Sequence, residues 1–267
     1  MGALSNLPAK RSSIARKNCR IVMTKDQVFS QPRSQIVDFV FDETVAGVFP
    51  DMIRRSVPGY ELVVPMTGLL IARLMAGSAE PRLIYDLGCS LGATSLAILR
   101  ALEALGLQEL ALEIRAVDSS AAMLTQASTN IADPRVQFIE ADIRQLAFAP
   151  AAAMTLNWVL QFLPPEERTP MLSRIHAGLA PGGLLVLSEK ICSEDPELEA
   201  FYQAAHLDFK RANGYSELEI SQKRTALEQV MITEPTDNHL QRLRAAGFKD
   251  VRVWFQCLNW ASFVASR

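Results

Sequence analysis

From Leu83 onward, short apolar runs alternate with longer segments whose apolar positions recur at helical spacing. Leu83-Ile84-Tyr85 predicts a strand ending at Asp86, Ala93–Leu105 a helix, Glu113–Val117 a strand ending at Asp118, and Ala121–Ile131 a helix. Val136–Ile139 and Ala153–Trp158 read as strands, and Pro165–Leu179 as a helix. Leu184–Leu187 reads as a strand after the Pro181-Gly182-Gly183 turn. Strands separated by helices imply right-handed crossovers and a parallel sheet. Glu197–Asn213 and Ser216–Met231 are polar helical segments joined at Gly214. Asn238–Ala246 is a helix stopped by Gly247, and Val251–Phe255 and Trp260–Val264 lie close enough to pair as a hairpin. Ahead of the sheet, Val40, Val45, Val48, Phe49 and Ile53 mark a helix within Phe39–Arg54. Ser56-Val57-Pro58-Gly59 is a turn, and Glu61–Met75 reads as a second helix that tolerates Pro65 only near its first turn. The pattern gives one α/β domain over 36–267, with a helical cap (36–78) and a helical insertion (195–231).

Hydrophobic residues make up 49% of the 267-residue chain and charged ones 21%, which suits a folded domain with a buried core and not a disordered chain. Lys+Arg number 27 against 29 Asp+Glu, so no overall field draws the protein to nucleic acid. The cations are unevenly spread. Lys10, Arg11, Arg16, Lys17 and Arg20 fall in the first 22 residues, which hold no acid. Residues 1–35 are therefore expected to form a basic, flexible leader, with Met23 as a candidate initiator. The body that follows is clearly acidic, so direct nucleic-acid binding is not expected. No apolar run approaches the ~20 residues of a membrane span. Cys19, Cys89, Cys192 and Cys257 form no CxxC pair, and His176, His206 and His239 add no zinc spacing. Reduced thiols, a cytoplasmic location and no metal follow as expectations.

The chemistry concentrates at strand ends. Asp86-Leu87-Gly88-Cys89-Ser90-Leu91-Gly92 lies between a strand and a helix. Gly88 permits a turn with positive φ, and Gly92 lets the helix start close to the strand. The Gly-Lys-Ser/Thr ending of a nucleotide P-loop is absent. The segment resembles the D-x-G-x-G-x-G cofactor loop of class I S-adenosylmethionine-dependent methyltransferases, with Ser90 at the middle glycine. Asp118 ends the second strand, where an acid suits the two ribose hydroxyls, as it would also in a nicotinamide enzyme. Asp142, with Ile143 beside it, lies after the third strand, where class I enzymes hold the adenine. Asn157 ends the fourth, where the methionine end of the cofactor would pass. A single such acid fits a helix cap or a surface charge equally well. A polar residue at each of three strand ends favours a cofactor site. Cys89 reads as a small residue packed under the cofactor, because no histidine is close in sequence to act as its base. The expected fold is Rossmann-like and class I, with a mostly parallel seven-stranded sheet, helices on both faces and a C-terminal antiparallel hairpin.

Asp208–Arg224 is densely charged, with the pairs Lys210-Arg211 and Lys223-Arg224 at either end. Alone, such a run reads as a solvated surface helix. Combined with Phe41-Asp42-Glu43, the stretch Phe49–Tyr60 and Trp254-Phe255-Gln256-Cys257, it resembles the carboxy-S-adenosyl-L-methionine synthase family from about Met23 to the C-terminus. The resemblance implies a homodimer that carboxylates the sulfonium methyl of S-adenosyl-L-methionine. Prephenate would be the carboxyl donor and phenylpyruvate the co-product. The product, carboxy-S-adenosyl-L-methionine, would serve a separate enzyme that carboxymethylates wobble uridine in tRNA. It implies cofactor contacts from Tyr60, Gly88, Cys89, Ser90, Asp118, Ser119, Asp142, Ile143, Asn157 and Arg224. Ser119 departs from the Asn common after this Asp. A sulfonium acidifies its methyl protons. Loss of one gives an ylide able to attack carbon dioxide, and the carboxylate formed needs a cation. Arg224 is the candidate for that catalytic role, and Lys210, Arg211 and Arg55 are candidates for holding the prephenate dianion. No base on the protein is evident. The cofactor loop, Asp118 and Asp142 alone would equally serve an ordinary small-molecule methyltransferase, or a binding protein without chemistry.

Overall fold

The computed structural model describes residues 24–77 and 80–267. The leader cations Lys10 to Arg20 and the candidate initiator Met23 lie outside the described residues. Two helices open the fold, α1 (Glu43–Ser56) and α2 (Tyr60–Ala76). The alternating region follows as β1 (Leu83–Leu87), α3 (Ala93–Ala104), β2 (Glu113–Asp118), α4 (Ala121–Asn130), β3 (Val136–Glu140) and β4 (Ala151–Asn157). A 3-10 turn (Leu160–Phe162) leads to α5 (Pro165–Gly178) and β5 (Leu179–Cys192). The insertion supplies α6 (Pro196–Ala212) and α7 (Glu217–Glu228). The chain closes with β6 (Glu234–Pro235), α8 (Thr236–Ala245), β7 (Lys249–Cys257) and β8 (Trp260–Ser266).

The sheet runs β3-β2-β1-β4-β5-β8-β7, with the two-residue β6 added beside β5. β1 to β5 are parallel, and β8 joins β5 antiparallel. The expected seven-stranded sheet and terminal hairpin are both present, and β6 is an addition too short to carry a periodic signal. Side chains alternate across β1. Leu83, Tyr85 and Leu87 pack with Met171, Leu172, Ile175 and Leu243 of α5 and α8. Ile84 faces the other way, onto Ile71, Met75, Ile98 and Leu102 of α2 and α3. Helices thus cover both faces, as a parallel sheet requires. Strand order reverses between β1 and β4, so the crevice between their carboxyl ends is the place for a ligand.

Helix α1 starts four residues later than the apolar spacing predicts. Asp42 caps it, accepting from Val45 N at 2.9 Å, while Phe39 N donates to Ala226 O at 3.0 Å and so follows α7 instead. Pro65 sits within α2, past its first turn, where the carbonyl left without a donor belongs to the solvent-exposed Glu61. The leader boundary at 35 needs correction. Within it, Asp26 and Phe29 are buried. Asp26 N donates to Asp51 Oδ2 at 2.8 Å, Gln222 Nε2 donates to Phe29 O and Gln31 O, each at 2.9 Å, and Arg33 N donates to Gln222 Oε1 at 2.8 Å. Basic composition gave no sign of these contacts, because they are made by backbone groups. No single helix among the described residues is long and apolar enough to cross a membrane.

Helices α2 and α3 meet at Gly68, where an added Cβ would lie 2.5 Å from the Ala97 carbonyl carbon and oxygen. Gly68→Ala gains up to about 1 kcal/mol of helix propensity, but it drives a methyl into backbone, for which overpacking costs about 1–3 kcal/mol. The net expectation is lower stability in urea unfolding. Unchanged or raised stability would show that the two helices separate freely.

Candidate functional site

Five strands deliver their carboxyl ends to one edge of the sheet. The register aligns Leu87 with Val117 and Leu156, Asp118 with Glu140, and Asn157 with Ser188. The turn after β1 is held from below. Gly88 N and Cys89 N both donate to Val117 O, at 2.8 and 2.9 Å. Gly88 has φ +69°, and a Cβ there would lie 2.3 Å from Val159 Cγ2. Beneath the turn, buried Asp86 accepts from Ser95 N (3.0 Å), Ser95 Oγ (2.7 Å) and Thr155 Oγ1 (2.8 Å). This carboxylate joins β1, the first turn of α3 and β4. Burial raises its pKa against those three bonds.

Asp118 reaches back to the loop. Its Oδ2 accepts from Ser90 N at 2.8 Å and its Oδ1 from Ser120 N at 2.9 Å. Burial raises its pKa and the backbone N–H groups oppose the shift. No cation among the described residues pairs with it, so it is an acceptor open to hydroxyl donors. Ser119 beside it is exposed. Asp142 differs: Arg144 binds it through Nε and Nη2 at 2.6–3.0 Å and lowers its pKa. Ile143 next to it is buried. Asn157 Nδ2 donates to Thr94 Oγ1 at 3.2 Å, and Asn157 Oδ1 accepts from Ser188 Oγ at 2.8 Å.

Tyr60 comes from the cap. Its ring lies 5.2 Å from that of Trp158, the residue after Asn157. Burial and the charge of Asp86 push the Tyr60 phenol up, so it remains neutral. Burial also pushes the Cys89 thiol up, and Asp86 and Asp118 add to the effect. A thiol held in that state is not a nucleophile, in keeping with a packing role. A cavity of about 620 Å³ opens outside Tyr60, lined by Arg54, Glu61, Leu62 and Phe209 among others. No strand-end residue lines it, and Tyr60 is the residue it shares with the crevice.

The far side of the crevice is cationic. Exposed Arg224 on α7 makes no ion pair or hydrogen bond with any described residue. Its charge bears on Lys190, at the end of β5, and on Lys210 of α6, so these three groups share one neighbourhood. Burial lowers the pKa of Lys190, and it lowers Lys210 to about 8, helped by Lys190 and Arg224. The structure therefore brings Gly88, Cys89, Ser90, Asp118, Asn157 and Tyr60 around the crevice, with Asp142 and Ile143 past the end of β3 and Arg224 among the cations. Two further candidate anion ligands already have acid partners. Arg55 is held by Asp51 (3.0 Å) and Asn213 O (2.7 Å), with its guanidinium 3.9 Å above the Tyr215 ring. Arg211 binds Glu217 and Asp208 in solvent. Sequence reasoning missed Trp158, Ser188 and Lys190. The rule that ligands meet the carboxyl ends of strands, extended to β5, was the signal for the last two.

Comparison with known proteins bears on this arrangement. Residues 84–183 match the family model described as a methyltransferase domain. A carboxy-S-adenosyl-L-methionine synthase of Erwinia tasmaniensis is 49% identical over 245 residues, covering 90% of this chain and 96% of that one. A protein of the same name from Vibrio cholerae is 49% identical with the same coverage. Among solved structures, human N-acetylserotonin methyltransferase in complex with SAM superposes with a TM-score of 0.57. It is 17% identical, and the match covers 84% of this chain and 55% of that one. At that identity the likeness shows the fold alone.

Two buried histidines contribute to the acid limb of stability. His206 Nε2 donates to Ser56 O at 2.8 Å, and its ring stands 5.6 Å from that of Trp260. Burial lowers His206 to about 3 and His239 to about 4, whereas an unfolded histidine titrates near ~6.5. Below that value the unfolded chain takes up protons that these folded side chains refuse, so the histidines' contribution to stability falls as pH drops from about 6.5 towards 4, while the raised pKa of buried Glu189 acts in the opposite sense. His206→Gln keeps the donor and removes the titration. In urea unfolding it is expected to flatten the pH dependence by up to about 1.4 kcal/mol per pH unit. An unchanged slope would mean that His206 is protonated in the fold.

Proposed function

The chain belongs to the carboxy-S-adenosyl-L-methionine synthase family, and on that premise we propose that it converts S-adenosyl-L-methionine and prephenate to carboxy-S-adenosyl-L-methionine and phenylpyruvate. S-adenosyl-L-methionine is a substrate here, because its own methyl carbon is what changes. The atoms balance: prephenate loses carbon dioxide and its ring hydroxyl as the ring becomes aromatic. The methyl gives up one proton, which leaves with that hydroxyl as water. The new carbon–carbon bond joins the methyl carbon to the carbon dioxide. No protein base is required when the departing fragment takes the proton.

The residues present suit the nucleoside. Asp118, a half-buried acceptor with no cation partner among the described residues, suits the ribose hydroxyls, with Ser119 beside it. Asp142 and Ile143 suit the adenine, and the Gly88-Cys89-Ser90 turn leaves room for backbone approach. Asn157 suits the methionine end, and Tyr60 with Trp158 forms an aromatic wall that excludes water. The observation that carries the reading beyond a methyl transfer is the cationic side of the crevice. A neutral methyl needs no countercharge, whereas a newly formed carboxylate does. Arg224 has no acid partner among the described residues, and a guanidinium binds a carboxylate through two charge-assisted hydrogen bonds. Carboxylation would then rest on orientation, electrostatics and exclusion of water. The same reading places the protein in the cytoplasm as a homodimer, with its product consumed in wobble-uridine carboxymethylation of tRNA by another enzyme.

Protein purified from cells is expected to carry an S-adenosylmethionine derivative heavier by one carbon dioxide, detected by mass spectrometry. Arg224→Ala is expected to lose that ligand selectively, since one charge-assisted bond contributes about 1.5–3 kcal/mol. Binding of plain S-adenosyl-L-methionine should change little. Unmodified ligand only, with no phenylpyruvate formed from prephenate and methyl label passed to an acceptor, would instead establish an ordinary methyltransferase.

A further inference from the structure

Two cations beside the crevice have no counterion among the described residues. Lys190 is positioned by its own strand. Its backbone N donates to Gln161 Oε1 at 2.8 Å, and it pairs with Trp260 across β8. Along β5 it is two residues beyond Ser188, so the two side chains leave the same face of the sheet. Ser188 Oγ is the group bonded to Asn157. Lys190 therefore stands one pleat beyond the residue assigned to the methionine end. Lys210 arrives from the other side. It is one helical turn after His206 on α6, and the His206 ring rests on Trp260, the cross-strand partner of Lys190.

Other charges nearby are already paired, and these two are not. Lys223 Nζ is 3.0 Å from Ser56 Oγ and 3.9 Å from Asp26 Oδ2. Glu199, the acid whose charge bears on Lys190, accepts from Ser193 N and Gln203 Nε2, each at 2.8 Å. It lies outside ion-pair distance of Lys190, and neither Lys190 nor Lys210 makes an ion pair with any described residue. Burial and the charge of Arg224 disfavour both ammonium groups, and Lys190 adds to the effect on Lys210, a cost that an arriving anion removes.

Resting on the carboxylation reading, we infer that Lys190 and Lys210 together bind the carboxylate that the donor keeps, the one that remains in phenylpyruvate, and leave Arg224 to face the carboxylate that is transferred. Two separate cationic groups within one neighbourhood, the lysine pair and Arg224, suit a dianion whose carboxylates have different fates. Lys190 and Lys210 are then specificity determinants for the donor and play no part in holding the nucleoside.

The test separates binding from turnover. Calorimetry with prephenate on protein preloaded with S-adenosylhomocysteine, which has no methyl to carboxylate, reads the subsite directly. Lys190→Gln and Lys210→Gln are each expected to weaken prephenate by at least ~10-fold, the scale of one charge-assisted hydrogen bond. S-adenosylhomocysteine affinity and melting temperature should hold, and Lys210→Arg should recover part of the loss. Phenylpyruvate should weaken in parallel with prephenate. Unchanged prephenate affinity in both variants, or wild-type protein that does not bind prephenate, would overturn the inference. An equal loss of S-adenosylhomocysteine would do so too. Wild-type protein that binds prephenate but forms no phenylpyruvate with S-adenosyl-L-methionine would defeat the carboxylation reading and leave this subsite standing.

Discussion

The crevice depends on one buried carboxylate. Asp86 lies under the glycine turn and accepts from both polar atoms of Ser95 and from Thr155. Those three bonds tie the end of β1 to the start of α3 and to β4, the two elements that diverge at the switch in strand order. Burying an acid is unfavourable unless every lone pair finds a donor, so the carboxylate holds its neighbours to a narrow geometry. The positive φ of Gly88, the approach of Val159 and the pairing of Ser90 N with Asp118 all follow from where that turn is fixed.

From this fixed point the charge of the crevice divides. Acids and neutral polar groups come from β1 to β4, where burial pushes Asp86 and Asp118 up. Cations come from β5, α6 and α7, where burial pulls Lys190 and Lys210 down. Each side bears a desolvation cost that its neighbours only partly offset. A ligand that is rich in hydroxyls at one end and anionic at the other relieves both. Arg144, Arg55 and Arg211 stand outside this division because each already has its own acid.

Most of the sheet was legible from the chain. Short, mainly apolar runs with an acid or amide at the end located β1 to β4 within a residue or two, and with them Asp118, Asp142 and Asn157. The reason is physical: the central strands β1 and β4 are buried along nearly their whole length and so must be mainly apolar, while the outer β2 and β3 keep apolar residues on their covered positions, and a polar residue marks the edge. What escaped notice depends on contacts between distant segments. The ordering of residues 24–35 uses backbone carbonyls of Phe29 and Gln31 that carry no sequence signature. Lys190 reads as an ordinary charge after Glu189 until β5 is seen to run on to Cys192. Which basic residues of 208–224 are free was also hidden, because Arg211 is neutralised by acids three residues before it and six after it. Lys223 is neutralised from far away in sequence, by Asp26.

Lys223 and Arg224 show what adjacency on a helix can encode. Successive residues point about 100° apart around the axis, so one basic pair supplies a buried peg and an outward arm. Asp26, Ser56 and the Tyr215 ring grip the peg. They thereby fix the azimuth of α7 and the heading of the arm. A one-residue deletion just upstream would put the guanidinium in the place of the peg, and a one-residue insertion would turn the ammonium outward in the place of the arm, in either case with composition and net charge almost untouched. Reading frame along this helix, more than the identity of its charges, is what the chain has to preserve.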